Sequence, residues 1–180
     1  MKITRTNAID KYHIVLEPGD ELHRDCMWAD FSLDNESYTI SVVSDSGNFA
    51  YRWGPSKNES FKNLMSRIGS EYLLNKFADR TELDLKETIK KLKEYVDYHV
   101  ESRKEKRSIN KYLENLRVYS VGELIQEIND YCGDARIRER WAYESIVMDY
   151  PIQARVISQF FVKYLQPVLR GEVGLDGGMV

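Results

Sequence analysis

The chain has 180 residues, of which 42% are hydrophobic and 31% are charged, and its formal net charge at pH 7 is −3. This composition is typical of a globular chain long enough to bury a core, and it excludes an intrinsically disordered protein. The acidic balance also excludes a protein whose whole surface binds nucleic acid, because phosphate binding depends on an excess of Lys and Arg.

Neither a targeting segment nor a membrane span is predicted. Met1 to Arg5 lead into polar residues, and no run reaches the roughly 18 apolar residues that a span requires. We therefore expect a cytoplasmic protein with no membrane partner. Cys26 and Cys132 lie far apart in the chain, which favours two free, buried thiols in a reducing compartment over a disulfide.

Residues 11 to 53 predict four strands, because apolar and polar residues alternate there and turn residues separate the runs. The apolar faces are Tyr12, Ile14 and Leu16 in the first strand, Met27, Ala29, Phe31 and Leu33 in the second, Tyr38, Ile40 and Val42 in the third, and Phe49, Tyr51 and Trp53 in the fourth. Gly47 supplies the positive-φ residue of the last hairpin. The connections are too short for parallel crossovers, so an antiparallel meander is expected.

After Gly54 the apolar period changes from two to about 3.6 residues, which predicts helices. Asn58 is the predicted N-cap of the first, and a second carries the apolar residues from Tyr72 to Phe77. The third is predicted to begin at Asp84, where Glu87 completes a capping box, and to run to about Arg107.

Three more helices follow in the prediction. Ser120 and Glu123 form a capping box for a helix that Gly133 ends, residues 136 to 148 form the next, and Pro151 opens the last. The fold class is therefore α+β, with an N-terminal four-stranded antiparallel meander followed by a bundle of about five to six helices. We expect a single domain over residues 1–170 and a flexible, glycine-rich tail over residues 171–180.

No catalytic or metal motif stands out. There is no G-x-S-x-G elbow and no glycine-rich phosphate loop, and the serines beside Asp45 are better explained by turn geometry. His23 and Cys26 are closely spaced, but no second such pair completes a four-ligand zinc site. We therefore expect no enzyme, no metal and no cofactor, with an enzyme of unrecognised site as the remaining alternative.

Charge is distributed unevenly along the chain. Acidic residues dominate the first two predicted connections, and the candidate partner-binding residues of this acidic end are Asp20, Glu21, Asp25, Asp34 and Glu36. Basic residues dominate the segment 90–111, where the candidate phosphate contacts are Arg103, Lys104, Lys106, Arg107 and Lys111. The acidic end suits a basic partner surface, and the basic segment suits weak binding of nucleic acid.

Aromatic residues are numerous, and Tyr and Trp are enriched at the centres of protein interfaces. The candidates for an aromatic binding surface are Tyr12, Trp28, Tyr38, Tyr51, Trp53, Tyr95, Tyr98, Trp141 and Tyr143. The alternative is that most of them belong to the core or its rim.

The segment from Ile40 to Gly54, together with Glu59 to Lys62 and Tyr72 to Phe77, resembles a group of small proteins encoded by bacteriophages and prophages. The resemblance implies an accessory role in a bacterial host cell, since such proteins commonly bind a host protein to modify host processes or to block defences, CRISPR systems included. It brings no catalytic residues with it.

Two hypotheses result. The first is a non-enzymatic phage accessory protein that binds and inhibits a bacterial defence or host protein, with an anti-CRISPR role as its sharpest version. The second is a nucleic-acid-binding accessory factor that uses the basic segment 90–111. The identity of the target and the oligomeric state stay open at this point.

Overall fold

The computed structural model describes residues 8–131 and 139–174. Its elements, in chain order, are β1 (Ile9–Val15), β2 (Trp28–Asp34), β3 (Thr39–Ser44), β4 (Phe49–Arg52), α1 (Phe61–Arg67), α2 (Ser70–Phe77), β5 (Glu82–Leu83), α3 (Leu85–His99), α4 (Arg103–Asn115), α5 (Val121–Asp130), α6 (Glu139–Ser145), β6 (Met148–Asp149), α7 (Ile152–Phe160), a π-helical segment (Phe161–Leu165) and α8 (Gln166–Arg170). The last three form one continuous helical stretch, so the described residues contain seven helices by that count.

The predicted α+β class and meander are confirmed. The four N-terminal strands pair in the order β1-β2-β3-β4, and every pairing is antiparallel. Contacts divide the chain into two compact units, which are unit 1 (Met1–Asp79 with Tyr150–Val180) and unit 2 (Arg80–Asp149). The single domain over residues 1–170 stays a prediction.

In unit 1 one face of the sheet is covered by helices. Phe31 at the centre of β2 has its ring centroid 6.0 Å from Phe160 and 5.8 Å from Phe161, at the junction of α7 and the π-helical segment. Tyr38 and Trp53 contact Phe61 of α1. These aromatic contacts lie in the buried core of the unit. The strand residues that form them, Phe31, Tyr38 and Trp53, are among those that the alternating pattern predicts to face inward.

Unit 2 has its own apolar core between α3, α4 and α5. Its fully buried residues include Leu92 and Val96 of α3, Ile109 and Leu113 of α4, and Leu124 of α5. The two-residue strands β5 and β6 pair at the ends of the unit, with Leu83 opposite Met148. The sequence reasoning missed this ladder, because two residues are too few to show a period.

The predicted third helix is wrong at its C-terminal end. It stops at His99 rather than near Arg107, and α4 begins after Ser102, whose hydroxyl accepts a hydrogen bond from the backbone N–H of Glu105. Ser102 and Glu105 have the spacing of a capping box, so the signal for a second helix start was present. The helix α3 therefore ends before Arg103, the first of the five candidate phosphate contacts.

Other boundaries also differ. The N-cap of α1 is Ser60, whose hydroxyl accepts the N–H of Asn63 at 3.2 Å, and not Asn58. Tyr38 precedes β3 in a left-handed conformation with φ of 54°.

Predictions for Cys132, Gly133 and residues 136–138 and 175–180 lie outside the described residues, so the flexible tail stays a prediction.

Gly47 occupies the turn between β3 and β4 with φ of 121°, as predicted. A Cβ at this position would lie 3.2 Å from Cε2 of Phe49, in addition to the strain of the positive φ. We expect Gly47→Ala to lower the free energy of unfolding by about 1–3 kcal/mol. Gly54→Ala is the matched control, because open space surrounds Gly54. Urea denaturation measures the free energy of unfolding of both variants. Equal denaturation midpoints for Gly47→Ala and Gly54→Ala would contradict the prediction.

Candidate functional site

The acidic residues proposed from sequence fall into two groups at opposite ends of the sheet. Asp20, Glu21 and Asp25 lie in the connection from β1 to β2, whereas Asp34 and Glu36 lie at the turn from β2 to β3. Because β2 has seven residues, the two ends are separated by roughly 20 Å. The structure therefore does not bring all five into one surface.

The two groups also differ in what their carboxylates do. One oxygen of Asp34 accepts the backbone N–H groups of Glu36 at 2.9 Å and Ser37 at 3.0 Å, which shapes the turn. Hydrogen bonds from Ser37 are the main cause that lowers the pKa of Asp34. In the other group Asp20 accepts the N–H of Glu17 at 2.8 Å, and Glu21 is paired with Lys163. Asp25 is exposed.

Asp45, which the sequence reasoning treated only as a turn residue, joins the two connections at the first of these ends. Its carboxylate accepts the N–H of Met27 at 3.0 Å and that of Trp28 at 3.4 Å, so the β3–β4 turn is tied to the start of β2. Partial burial raises the pKa of Asp45, but these hydrogen bonds and that of the Cys26 thiol outweigh it and lower the pKa. These hydrogen bonds connect the β3–β4 turn to the start of β2 at this end of the sheet.

Apolar side chains are exposed at this same end, on the face of the sheet that points away from the core. Val15 is 61% exposed and lies opposite the half-buried Trp28. Val43 of β3 is 50% exposed on the same face, where it lies opposite Asp30 and diagonal to Trp28. We call Val15, Trp28 and Val43 the sheet-end patch. The alternation of the strands places all three on the outer face, but the sequence reasoning used the pattern only to find the inner one.

The candidate basic residues lie on α4 in unit 2. Arg103, Lys104, Arg107 and Lys111 are exposed, and none of them has an ion-pair partner among residues 8–131 and 139–174. Lys106 instead donates to the backbone carbonyl of Asp97. Four of the five predicted cations are therefore open to solvent on one helix.

The predicted aromatic surface is divided between core and exposed positions. Tyr38 and Trp53 are buried, whereas Tyr98 is 85% exposed at the end of α3 and Tyr143 is exposed on α6. Tyr119, at 89% exposure, was not singled out from the sequence. The remaining candidates are half-buried, and they are Tyr12, Trp28, Tyr51, Tyr95 and Trp141.

His13 and Asp30 form a close pair on the outer face of the sheet, and hydrogen bonding from His13 is the main cause that lowers the pKa of Asp30. This dyad lies on an open strand surface with Lys11 at 3.5 Å from Asp30. Among the described residues no group of His, Cys, Asp and Glu is arranged to hold a metal ion. No helix in the part of the chain that the structure describes is long and apolar enough to cross a membrane.

The buried thiol of Cys26 is not activated, because burial and the neighbouring Asp45 raise its pKa to about 12. In a Cys132→Ser background, we expect iodoacetamide at pH 8 to alkylate Cys26 more than about a hundredfold more slowly in the folded protein than after denaturation, since the thiolate is the nucleophile. Mass spectrometry of timed samples measures both rates. Comparable rates would show that Cys26 is accessible and ionised.

A model of a phage family matches residues 1–171. Because the match extends over nearly the whole chain, the protein is a phage protein, and it belongs to this family. The comparisons with curated proteins and with solved structures return no match.

Proposed function

We propose that this phage protein is a non-enzymatic accessory factor that binds and inhibits a bacterial host or defence protein. The most specific form of the proposal is that the target is a CRISPR-Cas effector. Membership of the phage family supports the bacterial context. The observation that carries the proposal is the sheet-end patch, since Val15, Trp28 and Val43 expose apolar surface on a face that the helices of unit 1 leave uncovered.

The surroundings of the patch resemble the anatomy of a protein interface, in which an apolar centre with an aromatic residue has a polar, charged rim. Trp28 supplies the aromatic group. The connection that carries Asp20, Glu21 and Asp25 leads directly into β2 at Trp28, and Asp45 anchors the neighbouring turn. An acidic rim favours a basic partner, and nucleic-acid channels of defence enzymes have that charge.

The rim charges are expected to act on the rate of association. Glu21→Lys combined with Asp25→Lys should slow binding of the partner by about tenfold at low salt, because rim charges steer encounter more than they hold the complex. The fold should be retained, since Asp25 is exposed and the Glu21 ion pair with Lys163 is on the surface. Asp20 is left unchanged because its carboxylate caps the loop at Glu17.

Glu36→Lys is the matched control at the opposite end of the sheet, where the side chain is exposed. Stopped-flow or surface-binding kinetics with the partner, purified from bacteria that express the tagged chain, compare the three proteins. In cells, the parent should raise plaque formation on a host with active CRISPR-Cas defence, and the double variant should do so less. Equal association rates for all three would remove the acidic loop from the mechanism.

A further inference from the structure

A cluster of aromatic rings from α3 and α6 lies at the C-terminal end of α3 in unit 2, and Trp141 of this cluster packs against the core. The rings of Tyr95, His99 and Trp141 lie nearly parallel, with His99 5.1 Å from Trp141 at 19° and 5.9 Å from Tyr95 at 14°. Tyr98 meets His99 edge-on at 4.8 Å and is 85% exposed. Tyr98 therefore presents an exposed ring to solvent beside a stacked cluster at the end of the helix.

A groove of about 510 Å³ runs past these rings, lined by Lys91, Glu94, Tyr95, Tyr98, His99 and Glu144. The carboxylate of Glu144 is already engaged, since it accepts the Tyr95 hydroxyl at 2.9 Å and pairs with Arg140 at 2.6 Å. Glu94 carries carboxylate oxygens that can accept a hydrogen bond from an N–H group on a base edge, such as N3–H of thymine. The groove therefore combines ring faces with hydrogen-bonding groups.

The cations of α4 follow the end of α3 closely along the chain. Three residues separate His99 from Arg103, so their Cα atoms lie at most roughly 14 Å apart. The bond from Lys106 to the carbonyl of Asp97 holds the first turns of α4 against the end of α3. On α4 as a whole five basic side chains stand against only Glu105 and Glu114. A positively charged helix therefore begins within roughly 14 Å of His99.

We propose that this surface, made by Tyr98 with the stacked rings and by Arg103, Lys104, Arg107 and Lys111, binds single-stranded nucleic acid. The exposed ring of Tyr98 and the solvent-exposed cations of α4 match the two requirements of such sites, which are base stacking and backbone neutralisation. Duplex fits less well, because paired bases do not offer their faces to Tyr98. This inference uses other residues than the proposed protein-binding function and does not depend on it.

Fluorescence anisotropy of the full chain with a labelled oligothymidylate of about 15 nucleotides tests the inference. We expect a dissociation constant of roughly 1–100 µM at low salt, weakening as salt rises. Tyr98→Ala should weaken binding by roughly 5- to 100-fold, the loss expected for one stacked base. Arg103→Gln with Arg107→Gln should reduce the slope of log affinity against log salt by about 1.4.

Tyr119→Ala is the matched control, because Tyr119 is equally exposed but lies beyond the other end of α4. It should bind the oligonucleotide as the parent does. The proposal is overturned if the parent leaves the anisotropy unchanged, if duplex of the same length binds as tightly, or if Tyr98→Ala has no effect. Loss of a captured bacterial protein in Tyr98→Ala, with no binding of oligonucleotide by the parent, would instead make the surface a protein interface.

Discussion

Gln166→Leu is expected to lower the free energy of unfolding by about 2–4 kcal/mol, because it leaves buried polar groups without partners. Gln166 is fully buried in unit 1, where its side-chain amide donates to the carbonyls of Met65, at 2.9 Å, and Ile68. Its own oxygen accepts a hydrogen bond from Arg170 at 2.8 Å.

These carbonyls belong to the last turn and the C-cap of α1, where no backbone N–H within the helix can reach them. Leucine has a similar volume but no donor, so the substitution removes hydrogen bonds without opening a large cavity. Urea denaturation measures the loss. Gln159→Leu, on the exposed side of α7, should change stability by less than about 0.5 kcal/mol. Equal effects at the two positions would refute this role of Gln166.

The second large effect concerns binding. Val15→Lys combined with Val43→Lys should weaken the complex with the bacterial partner by about thirtyfold or more, since it places two charges in the proposed apolar centre and opposite a basic surface. Both side chains are at least half exposed on strands, so the folded state should tolerate lysine. Calorimetric titration of the purified partner gives the dissociation constants.

Ile9→Lys is a close control for this pair. Ile9 lies on the same outer face of β1 and is 51% exposed, but it is at the opposite end of the strand. Ile9→Lys should bind the partner as tightly as the parent does if the partner contacts only the sheet-end patch. An equal loss in Ile9→Lys would mean that the whole outer face, rather than the sheet end, meets the partner.

The inner face of the sheet was predictable because alternation is a direct consequence of strand geometry. Phe31, Ile40 and Val42 are buried as that pattern requires. The turn at Gly47 was also predictable, since few residues adopt its φ. In contrast, the break between α3 and α4 was overlooked, although Ser102 and Glu105 have the spacing of a capping box. The β5–β6 ladder could not be predicted, because strands of two residues are too short to show an alternating pattern.

The candidate site was harder to predict because it depends on which connections share an end of the sheet. In an antiparallel meander the β1–β2 and β3–β4 connections lie together, and the β2–β3 turn lies at the other end. Grouping Asp34 with Asp20 by charge alone therefore joined residues that the fold separates. The π-helical segment beneath the sheet also carries no simple sequence period.

Hydrogen exchange of the chain alone and in complex with its captured bacterial partner tests the central claim most directly. Amide protection reports which backbone segments the partner covers or stabilises. We predict slower exchange in the complex over residues 15–28 and 43–48, which contain the sheet-end patch and the acidic loop. Exchange at the β2–β3 turn, residues 35–38, should be unchanged. Protection confined to that turn or to unit 2 would contradict the proposed interface.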